Sequence, residues 1–214
     1  MTHAQARALQ ELWPKFGIET STGKIDVEQL FARDAPLLIE IGFGNGDATW
    51  QMARNEPDKN FIGIEVHQPG VGQLLLALES NDLTNVRIAR EDAVEFIRDR
   101  IPDNSVSELR IYFPDPWPKK RHHKRRIMQT TFLDLLARKM VTGGILHLAT
   151  DWQPYAEYML EICNQHAAFE NRSPDHAYCP KPEWRPETKY EKRGERLGQP
   201  SRDIILVATN MPGK

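Results

Sequence analysis

The feature that most constrains this chain is a rhythm that starts at residue 37, where short apolar runs begin to alternate with longer amphipathic ones. The runs predict strands at 37–41, 60–66, 86–89, 109–113, 145–150 and 203–209, and helices at 47–55, 68–80, 93–100, 127–140 and 154–166. Leu133, Leu136, Ala137 and Met140 fall on one face of the fourth helix. Strands that alternate with helices imply βαβ units, hence an α/β fold with a mostly parallel, doubly wound sheet. The last strand has no helix of useful length after it. It is expected at the far edge of the sheet, in an antiparallel hairpin with a strand near 169–172.

Two hundred and fourteen residues, 40% of them hydrophobic, suit a single domain with one sizeable core. Residues 1–35 read as a polar N-terminal arm with a helix near 6–13, and 173–200, rich in Pro, Glu, Lys and Arg, as a surface excursion. No apolar run approaches the roughly 20 residues that span a bilayer, and the start lacks a signal-peptide core. Cys163 and Cys179 show no C-x-x-C spacing, which fits a reduced, cytoplasmic setting. No metal is expected. The net charge of −2 means that any nucleic-acid contact must come from a local patch.

In an open parallel sheet, ligands sit beyond the carboxyl ends of the strands. The first strand ends in Glu40-Ile-Gly-Phe-Gly-Asn-Gly46, where Gly42, Gly44 and Gly46 permit a tight turn and close approach of a ligand. Glu65 ends the second strand, about 20 residues on, where an acid can hold two ribose hydroxyls. Asp92 follows the third strand. Singly, either acid is equally readable as a helix cap; three such positions in order favour a nucleotide. The third glycine comes one place early for a dinucleotide fingerprint, and Asp47 stands where a pyrophosphate would need a positive helix start. S-adenosylmethionine, with an ammonium group and no phosphate, fits better than NAD.

The sharpest motif is Phe113-Pro-Asp-Pro-Trp-Pro-Lys-Lys-Arg-His-His-Lys-Arg-Arg126, after the fourth strand. Lys119, Lys120, Arg121, Lys124, Arg125 and Arg126 place six cations within eight residues. Charge runs are usually solvated faces, but this one follows a strand end where reacting groups gather. Asp115 lies between prolines, so its carboxylate has a fixed direction. Trp117 reads more readily as core cover than as a stacking platform. Asp151 follows the fifth strand.

With these residues in hand, the sequence resembles the bacterial tRNA (guanine-N7-)-methyltransferases, the TrmB family. The match rests on Glu40 to Gly46, Ile64-Glu-Val-His67, Pro114-Asp-Pro-Trp117 with its basic tail, Ala149-Thr-Asp151 and Thr188-Lys-Tyr-Glu191. It runs from the Trp13-Pro14 region to the final strand. Pro118 and Tyr190 depart from residues common in relatives.

The resemblance implies a Rossmann-like class I fold and methylation of guanine N7 in the tRNA variable loop by S-adenosylmethionine. It implies cofactor contacts from Glu40, Glu65, Asp92 and Asp115, with Asp115 the active-site residue. Lys119, Asp151, Thr188, Lys189, Tyr190 and Glu191 match substrate-binding positions, and Arg121, Lys124, Arg125 and Arg126 match RNA contacts. The protein is expected to work as a monomer or homodimer without an obligatory protein partner. Three rivals are weaker. Amino-group methyltransferases carry a D-P-P-aromatic turn, a non-catalytic RNA-binding module has no need of Glu65, Asp92 and Asp115, and an oxidoreductase needs a hydride-transfer pair.

Overall fold

The structure, a computed structural model, describes residues 1–187, 189–196 and 198–209, and for Lys189, Tyr190, Arg193 and Glu195 only the backbone. The chain divides into two compact units, Met1–Pro102 with Glu183–Pro186, and Asp103–Pro182 with Glu187–Lys214.

In the first unit, β1 (Leu37–Ile41), β2 (Asn60–Ile64) and β3 (Val86–Ala89) lie parallel in the order β3-β2-β1, with Ile39 opposite Ile62 and Phe61 opposite Val86. Every residue of β1 and β2 is buried, as strands covered on both faces must be. The connections are α4 (Asp47–Asn55) and α5 (Gln68–Ser80), and α6 (Ala93–Arg100) follows β3. These helices begin and end where the periodicity places them. Before β1 stand α1 (His3–Glu11), α2 (Trp13–Phe16) and α3 (Val27–Phe31).

The first helix starts earlier than apolar spacing alone suggests. Thr2 and Gln5 form a reciprocal capping box, which satisfies two otherwise orphaned backbone donors. This helix packs on α5 closely enough that a Cβ at Gly72 would lie 2.8 Å from the Gln5 carbonyl oxygen.

The second unit contains β4 (Val106–Tyr112), a 3-10 segment (Lys120–Arg125), α7 (Thr130–Lys139), β5 (Met140–Thr150) and α8 (Gln153–Asn164). Then come β6 (Phe169–Asn171), α9 (Lys189–Arg196) and β7 (Arg202–Ala208). The strand order is β4-β5-β7-β6, with β4 and β5 parallel and both other pairings antiparallel.

The hairpin expected from sequence forms, but the last strand is not its outer member. β7 lies between β5 and β6, and the edge is β6. The reason is burial: Asp203 to Leu206 are all buried, a pattern of an interior strand, whereas Glu170 of β6 is exposed. Two further expectations shift. α9 rises within the stretch read as a loop, and α7 begins at Thr130 because Gln129 before it is extended (φ −138°, ψ 157°); Met128 donates its backbone N–H to the Tyr155 hydroxyl of α8 at 3.3 Å.

A buried polar chain crosses this sheet. The Tyr112 hydroxyl lies 2.9 Å from His147 Nδ1, and His147 Nε2 lies 2.7 Å from Asp203 Oδ1. Each ring nitrogen of His147 has a hydrogen-bond partner on a neighbouring strand. The fully buried imidazole thus joins β4, β5 and β7.

Candidate active site

In the first unit, the turn after β1 is built by glycine conformations. Gly42, Gly44 and Gly46 all have positive φ, at 72°, 59° and 75°. At Gly42 and Gly44 an added Cβ would meet nothing within 4 Å, so the space beside the turn is open to a ligand. Gly46 is different. It caps α4, and a Cβ there would lie 2.7 Å from Leu74.

Glu65 holds this turn. Its Oε2 accepts from Gly44 N at 2.9 Å, while Oε1 accepts from Val66 N at 2.8 Å and His67 N at 2.9 Å. Three of the roughly four acceptor sites of a carboxylate are therefore engaged by backbone. Asp92 caps α6, with Oδ1 accepting from Val94 N and Glu95 N at 2.9 and 3.0 Å. Its Oδ2 makes no hydrogen bond among the described residues. Glu40 is buried at the end of β1.

Sequence reasoning passed over Gly70. A Cβ there would sit 2.0 Å from the Gly44 carbonyl oxygen, so the first turn of α5 touches the glycine turn backbone to backbone. The readable signal is a glycine in a helix start that supplies no caps.

In the second unit, the acid-bearing turn is framed by two strained residues. Phe113 and Trp117, neither a glycine, hold positive φ at 51° and 42°, a conformation that costs about 1–2 kcal/mol per residue. Asp115 between them is exposed. Trp117 is half-buried: His122 meets its ring edge-on at 5.9 Å, and the Arg125 guanidinium lies 5.0 Å from its centroid.

The six cations do not share one environment. Lys119, Lys120, Arg121, Lys124 and Arg125 are exposed on and beside the 3-10 segment. Arg126, grouped with them by sequence, is only 5% exposed. Its Nε donates to the Pro116 carbonyl oxygen at 2.9 Å, and its guanidinium lies 4.7 Å from the Tyr155 ring and 5.3 Å from that of Tyr158.

Burial pushes the Tyr155 phenol up to about 12, against the pull of the Met128 hydrogen bond and Arg126 and with the help of Tyr158 and Asp115.

Asp151 is half-buried, and a Cβ at Gly194 would lie 3.2 Å from its Oδ2, so α9 is brought against it. Glu191 of that helix is buried, bound to Lys181 at 2.8 Å and to the Ser201 hydroxyl at 2.8 Å. These bonds tie α9 to the segment before it and to the start of β7. Thr188 lies outside the described residues, as do the side chains of Lys189 and Tyr190.

The profile of a family described as "Putative methyltransferase" matches residues 34–204. A tRNA (guanine-N(7)-)-methyltransferase of Alcanivorax borkumensis is 51% identical over 206 residues, covering 96% of this chain and 86% of that protein. One from Halorhodospira halophila is also 51% identical, over 96% of this chain and 89% of its own. The chain belongs to the tRNA (guanine-N(7)-)-methyltransferase family.

The fold agrees with that membership. The 16S rRNA methyltransferase KamB superposes with a TM-score of 0.61 over 92% of this chain and 99% of that one, at 14% identity. A likeness at so low an identity speaks for the fold alone: this enzyme has the Rossmann-like α/β fold of a methyltransferase, mostly parallel with an antiparallel edge. Among the described residues no helix is long and apolar enough to cross a membrane.

Proposed function

We propose that this enzyme transfers the methyl group of S-adenosylmethionine to N7 of a guanine in the variable loop of tRNA. The observation that carries the reading is the Asp115 turn: an exposed carboxylate on a strained, tied-down backbone, followed at once by five exposed cations. Relatives about half identical along nearly the whole chain, named for this reaction, support it.

The first unit fits the methyl donor. Backbone at Gly42 and Gly44 faces open space, Glu65 keeps an acceptor site, and Asp92 keeps Oδ2. Glu40, Glu65 and Asp92 are the acids that would hold it. When bound, S-adenosylmethionine supplies an electrophilic methyl on a cationic sulfur. Guanine N7 carries a lone pair and no proton, so the protein needs no general base. Its work is alignment.

Asp115 accepts from the guanine N1–H or amino group, orients the ring and favours the positive charge that the purine acquires. Asp151 assists it, Thr188, Lys189 and Tyr190 are the substrate-binding positions that the family resemblance implies, and Glu191 ties α9 to Lys181 and Ser201. Lys119, Arg121, Lys124 and Arg125 hold RNA phosphates. A variable-loop base reaches the site at lower cost than a duplex base, because it is not stacked in a regular helix.

Both units together form one methyltransferase domain in this reading, supported by a family profile that spans residues of each. The protein acts in the cytoplasm, alone or as a homodimer. Incubation with labelled S-adenosylmethionine and bulk tRNA, followed by nucleoside analysis, tests the function. Label in 7-methylguanosine supports it; label in another nucleoside, or in none, refutes it.

A further inference from the structure

Five of the six clustered cations face solvent, and the sixth is placed for other work. Arg126 is 5% exposed and donates from Nε to the carbonyl of Pro116, the residue after Asp115. Its guanidinium is stacked against two tyrosines of α8, at 4.7 and 5.3 Å from the ring centroids. The tyrosines do not merely pack: Tyr155 takes the Met128 N–H at 3.3 Å, and the Tyr158 hydroxyl donates to Gln129 Oε1 at 3.1 Å. Gln129 in turn donates from Nε2 to the carbonyls of His123 and Arg126, at 3.0 and 3.2 Å.

One guanidinium therefore links the acid-bearing turn, the end of the 3-10 segment and the face of α8. To reach a phosphate it would have to leave both rings and the Pro116 carbonyl. A lysine in its place would keep the charge but lose the planar fork that stacks and donates together.

We propose that Arg126 is a positioning residue for Asp115 and not an RNA contact, so that the reacting turn and the cationic segment form one body before RNA arrives. This rests on the function proposed above. The role accounts for a strained turn that persists: Phe113 and Trp117 can hold positive φ only if their surroundings over-determine the backbone. It also divides the basic run chemically. Arg121, Lys124 and Arg125 supply affinity; Arg126 supplies geometry.

The test compares Arg126→Lys, Arg126→Ala and Arg125→Ala in steady-state methylation of tRNA, with tRNA affinity measured across a salt series. The geometry predicts that kcat falls about a hundredfold in Arg126→Ala, as expected when a reacting group moves by about 1 Å, and roughly tenfold in Arg126→Lys. KM for tRNA stays within about twofold in both, and the salt slope stays at the wild-type value. Arg125→Ala does the reverse, raising KM and flattening the slope by about 0.7–0.9.

If Arg126→Lys keeps full kcat while Arg126→Ala raises KM and flattens the slope, Arg126 is a phosphate contact and the proposal is wrong. Unchanged kinetics in both variants overturn it equally. If Arg126→Ala does not accumulate folded, the kcat of Arg126→Lys decides alone. A wild-type protein that leaves tRNA unmethylated refutes the parent function, and the inference falls with it.

Discussion

Glu65 Oε2 accepts the backbone N–H of Gly44 at 2.9 Å, so the acid that follows β2 fixes the open glycine turn that follows β1. The same carboxylate binds the N–H groups of Val66 and His67. One side chain thus shapes both walls of the donor site proposed above. Glu65→Ala removes a charged acceptor from three amides and is expected to cost about 2 kcal/mol, lowering the melting temperature by roughly 6 °C. S-adenosylmethionine affinity should fall at least about tenfold, each 1.4 kcal/mol lost being one such factor. Calorimetric melting and titration check both, and unchanged donor affinity would remove Glu65 from the site.

Glycines of the same unit separate into two kinds. Gly70→Ala places a methyl 2.0 Å from the Gly44 carbonyl, backbone that cannot yield without moving the turn. Gly42→Ala meets no protein atom and adds only the strain of its φ of 72°, about 1–2 kcal/mol, to the protein without donor. Gly70→Ala is therefore expected to lower the stability of the donor-free protein more than Gly42→Ala. Calorimetric melting of the two variants compares them directly, and equal losses would contradict the close contact.

Charge removal at Arg121, Lys124 and Arg125 together acts on exposed groups. Up to three lost phosphate contacts should flatten the dependence of log affinity on log salt by about 2–3, at 0.7–0.9 per contact. Binding of tRNA measured at several salt concentrations reads the slope. A slope equal to that of the wild type would assign these cations to solvent.

The buried imidazole of His147 predicts a stability effect with no change in surface. His147→Leu keeps much of the volume but takes a buried hydrogen-bond partner from both Asp203 and Tyr112. Breaking a buried ionic or hydrogen-bonded pair on one side costs about 3–5 kcal/mol. Urea unfolding should show the midpoint lowered accordingly, with an unchanged m-value. A shift under about 1 kcal/mol, within the range of an ordinary surface change, would mean that the chain is not a structural tie.

How much of this was readable beforehand depended on the range of the interaction. Local signals served well: α4, α5 and α6 stand where apolar spacing placed them, and the glycine turn follows β1. Long-range burial did not announce itself. β7 was expected at an edge because no helix follows it, yet its place between β5 and β6 is set by which strands cover its Ile204–Ile205–Leu206 run. Arg126 is one of six similar letters in a basic run, and only tertiary packing against Tyr155 and Tyr158 distinguishes it. Asp92 illustrates the converse: a cap and a ligand-facing acid share one sequence signature, and its Oδ1 is the cap.

The reaction needs the N7 lone pair as nucleophile, and a substrate can be built without it. A tRNA transcript carrying 7-deazaguanosine at the variable-loop guanine presents the same base edge to Asp115 but has carbon where N7 should be. In single-turnover reactions with labelled S-adenosylmethionine, the expected result is transfer to the unmodified transcript, no transfer to the deaza transcript, and equal binding of both. Label incorporated into the deaza transcript at a comparable rate would contradict it.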